Sequence, residues 1–339
     1  MPKSINIKYK KIFDNQRTFV VGEIGLNHNG KIKNCIKMID IAKKSGFDAV
    51  KLQISDPNES YFPKTKSYNY FKKYSLSEEK LVKVFNYAKQ RKIILFSTFG
   101  DLKSLKYQDK FNFPLIKISS GLITNIPLIK KIAQKNKPII LSTGMAFESE
   151  IVKAMKTIKK YNSRELAVLV CTSIYPCKDY MINLSKISTY KKKFKAIIGY
   201  SDHTQDNFAS ISSVLMGAKV IEKHITFKKM NFGDHKISAD FKEMPKLIKD
   251  IRRAESIIGK SKIEPNNEEL KFRKLYLRKI VSKKKILKGE IFDLNNISLM
   301  RSPNIDKLQI NIKKFDRLLG KKNLKTINPF KILTKKNYN

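Results

Sequence analysis

The stretch Ile198-Gly199-Tyr200-Ser201-Asp202-His203-Thr204, followed by Val220-Ile221-Glu222-Lys223-His224-Ile225-Thr226, decides the fold. Each segment is a short apolar run that ends in polar residues and an imidazole. The chain has only four histidines. The other two, His28 in Gly25-Leu26-Asn27-His28-Asn29-Gly30 and His235 in Gly233-Asp234-His235, also follow apolar-looking segments. That placement reads as a metal site with an anion site beside it.

Six more runs of the same kind come earlier: Phe19–Ile24, Ala49–Ile54, Ile93–Thr98, Leu115–Ser119, Pro138–Thr143 and Leu166–Thr172. Continuous apolar runs suit parallel strands buried on both faces. Between them, apolar residues recur at helical spacing, as in Leu81, Val84, Phe85 and Ala88, or Leu247, Ile248, Ile251 and Ala254. Eight strands alternating with helices predict a (β/α)8 TIM barrel over residues 19–259. Residues 1–18 read as an N-terminal arm or short edge hairpin. Ser55–Ser75 is long for a βα connection and rich in Tyr and Lys, which suggests a lid. After Gly259 the periodicity fails. Residues 260–274 read as a linker and 275–339 as a small β-rich domain, with a helix-like Ile312–Leu319 closed by Gly320.

Composition narrows the function. The 339 residues are 41% apolar, enough for a substantial core, and 71 basic against 29 acidic residues give a formal charge of +42. Such a charge invites a nucleic-acid reading. However, the lysines are spread along the whole chain and no zinc-finger or RNP-type motif is present, so no nucleic-acid partner is expected. A positive field would still draw in an anionic substrate. No apolar run approaches the roughly 20 residues that span a bilayer. The N-terminus has no apolar signal-peptide core. The expectation is a cytoplasmic protein without a membrane partner. Three cysteines form no C-x-x-C pair, and Cys171 reads as a buried small hydrophobe.

In such barrels chemistry sits at the C-terminal strand ends. These ends offer Glu23, Lys51, Gln53, Thr98, Lys117, Ser120, Ser142, Tyr175, Ser201, His203, Glu222 and His224. A lysine inside a barrel is costly unless paired. The simplest partner for Lys51 and Lys117 is a bound anion, with Glu23 or Glu222 as the structural alternative. The backbone after Gly121 and Gly144 would complete a phosphate cradle. Two imidazoles without a nearby thiolate suit an open Mn²⁺ site, with Mg²⁺ or Co²⁺ as alternatives. Arg252-Arg253 reads as a solvated helix face.

Taken together, Gly22-Glu23-Ile24-Gly25-Leu26-Asn27-His28-Asn29-Gly30, Asp48-Ala49-Val50-Lys51-Leu52-Gln53, Lys117-Ile118-Ser119-Ser120-Gly121, Leu141-Ser142-Thr143-Gly144-Met145, Cys171-Thr172-Ser173-Ile174-Tyr175-Pro176, Gly199-Tyr200-Ser201-Asp202-His203-Thr204 and Ile221-Glu222-Lys223-His224 resemble, in order, the sialic acid (nonulosonate) synthases. The resemblance runs from Phe19 to Gly320. It implies a TIM barrel followed by an antifreeze-like (SAF) domain, in a domain-swapped homodimer. The implied reaction joins phosphoenolpyruvate to N-acetylmannosamine and releases phosphate. A legionaminic or pseudaminic acid synthase using a diacetamido-trideoxyhexose is the alternative. A retired basic binding protein is the reading from another class. By the same resemblance, His203 and His224 match metal ligands, and Lys51, Thr98, Lys117, Ser120, Ser142 and Ser201 match positions that hold phosphoenolpyruvate. Gln53, Tyr175, Asp234 and Arg301 match sugar contacts, Arg301 reaching across the dimer, and Glu23 matches a proton-handling carboxylate. Four departures stand out: Leu122 where the family has an acid, Ser173 for Asn, Gly233-Asp234 shortened by one residue, and Arg301-Ser302-Pro303-Asn304-Ile305 for Arg-Pro-Gly-x-Gly.

Overall fold

Alternation, rather than charge, shapes the first element. Among basic neighbours, Ile5, Ile7 and Ile12 are buried in the same core as the barrel. They lie on an antiparallel hairpin of β1 (Ser4–Ile7) and β2 (Lys10–Phe13). The N-terminal segment is therefore no free arm, because its isoleucines would otherwise stay in water. The structure, a computed structural model, describes residues 4–7, 10–13, 17–302 and 309–338.

The eight apolar runs close into a parallel barrel. Its strands are β3 (Phe19–Gly25), β4 (Ala49–Ile54), β5 (Ile94–Phe99), β6 (Ile116–Ile118), β7 (Ile139–Ser142), β8 (Leu166–Cys171), β9 (Ile197–Asp202) and β10 (Val220–His224), and β10 pairs back onto β3. Most of their residues are buried, because side chains fill the barrel on one face and meet helices on the other. The helices of this unit are α1 (Ile32–Ser45), α2 (Pro57–Ser60), α3 (Lys66–Tyr74), α4 (Glu78–Gln90), α5 (Lys106–Phe111), α6 (Ile126–Ala133), α7 (Glu148–Tyr161), α8 (Lys186–Lys193), α9 (Phe208–Leu215) and α10 (Glu243–Ile258). Among the described residues, no helix is long and apolar enough to cross a membrane.

Helices α2 and α3 build the segment after the second barrel strand. Its root is tied to Asp101, a buried carboxylate just past β5. Asp101 accepts from the Asp56 amide (2.8 Å) and from the hydroxyls of Ser55 (3.1 Å) and Ser60 (2.8 Å). Gly100 makes that approach possible, since a Cβ there would lie 2.3 Å from Ser55 Oγ.

Two sequence expectations change. Arg252 is not a solvated side chain: it donates to Thr18 O (2.9 Å) and to Glu255, and approaches Asp48 at 3.6 Å. It thereby fastens α10 to the N-terminal ends of the strands, while Arg253 is exposed. Nor is 260–274 simply a linker. It carries α11 (Asn267–Tyr276), started by a capping box in which Asn266 Oδ1 accepts from Glu269 N and the Glu269 carboxylate accepts from Asn266 N.

The chain divides into two compact units, Met1–Gly259 and Lys260–Asn339. The second has its own core of Ile280, Ile286, Phe292, Ile297, Ile310, Leu318, Ile327 and Leu333. It holds the antiparallel pair β11 (Lys279–Ser282) and β12 (Ile297–Met300) and a short helix α12 (Phe315–Leu318).

Candidate active site

Period two along a strand sends alternate side chains inward. Lys51 and Gln53 from β4, Ser201 from β9 with His203 just past its end, and Glu222 and His224 from β10 therefore reach one cavity of about 400 Å³ at the C-terminal end of the barrel. Glu23, Thr98, Lys117, Ser120, Ser142 and Tyr175 line it too. Of the residues matched to metal, phosphoenolpyruvate, sugar or proton handling, two fall outside this cavity. Asp234 borders the adjoining groove, 3.6 Å from His224 Nδ1. Arg301 belongs to the second unit, where its guanidinium lies 5.0 Å over the Tyr276 ring. Pro303, Asn304 and Ile305 lie outside the described residues.

The floor of the cavity is four buried charges. Lys51 pairs with Glu23 and stands 4.0 Å from Glu222, and Lys117 pairs with Glu222 at 3.2 Å. The lysines thus have carboxylate partners within the chain. Lys51 also donates to Thr98 Oγ1 (3.1 Å), and Ser201 Oγ donates to Glu222 (3.0 Å). The two carboxylates differ sharply. Burial raises Glu23 to about 7 despite the adjacent Lys51. Burial also pushes Glu222 upward, but Lys117 and Lys51 outweigh it and hold the group at about 2. One acid is therefore poised for proton transfer at neutral pH and the other is a fixed charge. Glu23 Oε1, Glu222 Oε2 and Ser142 Oγ are buried without a hydrogen-bond partner. Unsatisfied buried polar atoms cost free energy, so their concentration at one cavity marks a site for a polar ligand.

Above this floor the rings of His203 and His224 lie 5.5 Å apart between centroids. His203 Nδ1 lies 2.8 Å from Thr172 O and its Nε2 lies 2.9 Å from the Tyr175 hydroxyl; burial pushes the ring down, but Cys171 and Thr172 O outweigh it and raise it above its ordinary value. His224 Nδ1 is buried without a hydrogen-bond partner. Burial, then His203 and Lys51, push His224 well below its ordinary range, so it is neutral and free to donate a lone pair. The pair fits a divalent ion with open positions. Among the described residues, no group of three His, Cys, Asp or Glu side chains is placed to enclose one. The other histidines do different work. His28 Nδ1 accepts from Gly30 N (3.1 Å), and His235 is held between Thr226 Oγ1 (2.7 Å) and Asn29 Oδ1 (3.2 Å).

Sequence reasoning missed several wall residues. Cys171 is more than a core hydrophobe, since its thiol lines the cavity beside His203 Nδ1 (3.8 Å), Ser120 (3.5 Å) and Ser173 (3.7 Å). Burial pushes that thiol up, but the His203 ring and the two hydroxyls outweigh it and bring it to about 7. Its place at the end of an apolar strand was the available signal. The expected backbone cradle is half engaged: the Gly144 amide already donates to Ser120 Oγ (2.9 Å), while Gly121 lines the cavity. Tyr61 and Phe71, with ring centroids 4.9 Å apart, line the cavity, and so do Leu122 and Met145. Ser60 joins the same rim.

Known proteins share this arrangement of chain. The model of the NeuB family matches residues 38–263. An N,N'-diacetyllegionaminic acid synthase of Campylobacter jejuni is 34% identical over 90% of this chain and 96% of its own. A pseudaminic acid synthase of the same species is 32% identical over 92% and 94%. A crystal structure of a Leptospira borgpetersenii N-acetylneuraminic acid synthetase aligns with a TM-score of 0.76 and 32% identity, covering 80% of this chain and 97% of that one. These matches show that the chain belongs to the NeuB family and is an enzyme of the transferase, synthase type.

Proposed function

We propose that this enzyme condenses phosphoenolpyruvate with an N-acetylated hexosamine and releases phosphate. The observation that carries this reading is the buried quartet Glu23, Lys51, Glu222 and Lys117 beneath two imidazoles. Lys51 and Lys117 supply positive charge for the phosphate and carboxylate of phosphoenolpyruvate, and Thr98, Ser120, Ser142 and Ser201 supply hydroxyl donors. A divalent ion held by His203 and His224, with Mn²⁺ first and Mg²⁺ or Co²⁺ as alternatives, would supply Lewis-acid polarisation of the sugar aldehyde. The enol carbon bonds to the aldehyde carbon, whose oxygen takes up a proton from solvent, and C2 is left electron-poor. Water adds at C2 and gives one proton to Glu23; the C2 hydroxyl passes its other proton to the departing phosphate as the C–O bond breaks, leaving the C2 ketone. Cytoplasmic action is part of the proposal, supported by three free, buried thiols.

The apolar lining residues Tyr61, Phe71, Leu122 and Met145 favour a diacetamido-trideoxyhexose over N-acetylmannosamine. A methyl group against these side chains keeps its free energy, whereas a hydroxyl there loses water without gaining a partner. Phosphate release from phosphoenolpyruvate with a panel of hexosamines tests both levels. We expect kcat/KM for the diacetamido sugar to exceed that for N-acetylmannosamine by about 10- to 200-fold. Leu122→Glu should narrow the gap. Release with no sugar at all would sink the reaction, and equal rates with both sugars would sink the preference.

A homodimer is proposed on the exposed rim of the barrel mouth. Phe62, Met145, Phe147, Tyr180 and Phe208 are each more than 70% exposed, which is unusual for large apolar side chains gathered in the loops at one end of a barrel. The proposed assembly includes the contact of a second copy's Arg301 with the sugar that the family resemblance implies. Light scattering should give twice the chain mass, and Phe147→Glu with Tyr180→Glu should return it to the monomer value. A wild-type monomer at micromolar concentration would contradict the assembly.

A further inference from the structure

The strand that sends Glu222 and His224 into the barrel sends Lys223 the other way, between sheet and helices. Its ammonium is completely buried and sits among four oxygens. They are Asp202 Oδ2 (3.1 Å), Thr204 O (2.7 Å), Thr204 Oγ1 (3.4 Å) and Asp206 O (2.7 Å). Asp202 is equally buried. Its Oδ1 accepts from the Thr204 amide (2.9 Å) and hydroxyl (2.8 Å), and its Oδ2 from Ser210 Oγ on α9. Every partner of Lys223 thus belongs to the turn that displays His203, on both sides of that residue.

The sheet's own tie stops short of the imidazoles. The β9–β10 ladder pairs Tyr200, Ser201 and Asp202 with Ile221, Glu222 and Lys223, and ends one residue before each histidine. Beyond it, the Cys177 amide holds His203 O (2.9 Å), and the Ala239 amide holds His224 O (2.8 Å). Each of those bonds joins an imidazole's backbone to its own surroundings. Ser201 Oγ joins the two strands on the inner face through Glu222, and on the outer face Lys223 carries the tie past the ladder to Thr204 and Asp206, beyond His203. An apolar pair would fill the space without the desolvation cost of two buried charges, so stability alone does not account for the ion pair here.

We propose that Lys223 is a positioning residue that fixes the spacing and orientation of His203 and His224 from the outer face of the sheet, and so sets the affinity of the divalent-ion site. The inference rests on the metal reading above. It is tested with full-length protein and Mn²⁺ alone, following free Mn²⁺ by electron paramagnetic resonance, with His224→Ala as the reference for a lost site. Lys223→Met should bind Mn²⁺ about 10- to 100-fold more weakly. Its KM for phosphoenolpyruvate should stay within about twofold, because the lysines and hydroxyls inside the barrel are untouched. Lys223→Met with Asp202→Asn removes the stranded carboxylate. It should recover the melting temperature without recovering Mn²⁺ affinity. A double variant that melts and binds Mn²⁺ like the parent overturns the proposal. Should neither charged variant fold, Thr204→Ala keeps both charges and deletes only part of the tie. Weaker Mn²⁺ binding at an unchanged melting temperature is then expected, and unchanged binding overturns the proposal. A parent that binds no Mn²⁺ fails the metal reading, and this inference with it. Parent binding that is lost in His224→Ala but kept in the Lys223 variants fails this inference alone.

Discussion

Glu23→Gln should lower kcat by about 10²- to 10⁴-fold, the range associated with removing a positioned acid–base group. The amide keeps the size of the side chain and removes its ability to take a proton. The parent enzyme should also show a distinct pH dependence. Glu23 is raised to about 7 by burial, so as a base it is competent above that value and protonated below it. The rate should therefore fall about tenfold per pH unit on the acid side of neutrality. In Glu23→Gln that acid limb should vanish while the remaining slow rate stays flat. Steady-state rates from pH 5.5 to 8.5 (roughly the window around such a group) decide the matter. A limb that survives the substitution assigns the proton to another group.

Lys117→Met should be the most destabilising single change in the cavity. It leaves Glu222 buried with Lys51 at 4.0 Å as its remaining cation. Stranding a buried charge costs about 3–5 kcal/mol, with the second lysine drawing the value toward the lower end. The sign of the pH effect follows. In the parent, Glu222 is held at about 2, so its ionised form contributes stability above its unfolded pKa, and that contribution is lost only under strong acid. In the variant the folded-state pKa rises, and protonation relieves the stranded charge as pH falls. The stability gap between parent and variant should thus shrink between pH 7 and pH 5, measured by denaturant titration (a window set by the ordinary carboxylate range near 4.3). A gap that widens on acidification would falsify the assignment. KM for phosphoenolpyruvate should rise about tenfold or more, as loss of one charge-assisted contact predicts.

The barrel was legible because parallel strands buried on both faces leave an unmistakable trace. Leu166–Cys171 and Ile197–Asp202 are buried at every position, and no surface segment reads that way. Once the strands are placed, their ends announce the cavity, since polar residues there have little structural reason to exist. Less visible were features that depend on a partner distant in sequence. The buried isoleucines of β1 and β2 are masked by lysines. Helix α11 is amphipathic only weakly and mostly exposed, so its capping box is the one strong local signal. Arg252 looks solvated until Thr18, 234 residues away, is brought beside it. Tyr61 and Phe71 gained a role only when the segment after β4 folded back over the barrel, held at Asp101.

The alternation along β10 has an evolutionary consequence. In Val220–His224 the inward residues do chemistry and the outward Lys223 clips the neighbouring turn, so the strand encodes two unrelated tasks in interleaved letters. Substitutions can alter one task and spare the other. Insertion or deletion of a single residue cannot: it would swap the faces, placing the ammonium where the imidazole belongs and the imidazole behind the sheet. Loops around this barrel are free to change length as substrates change, but this strand can vary only letter by letter.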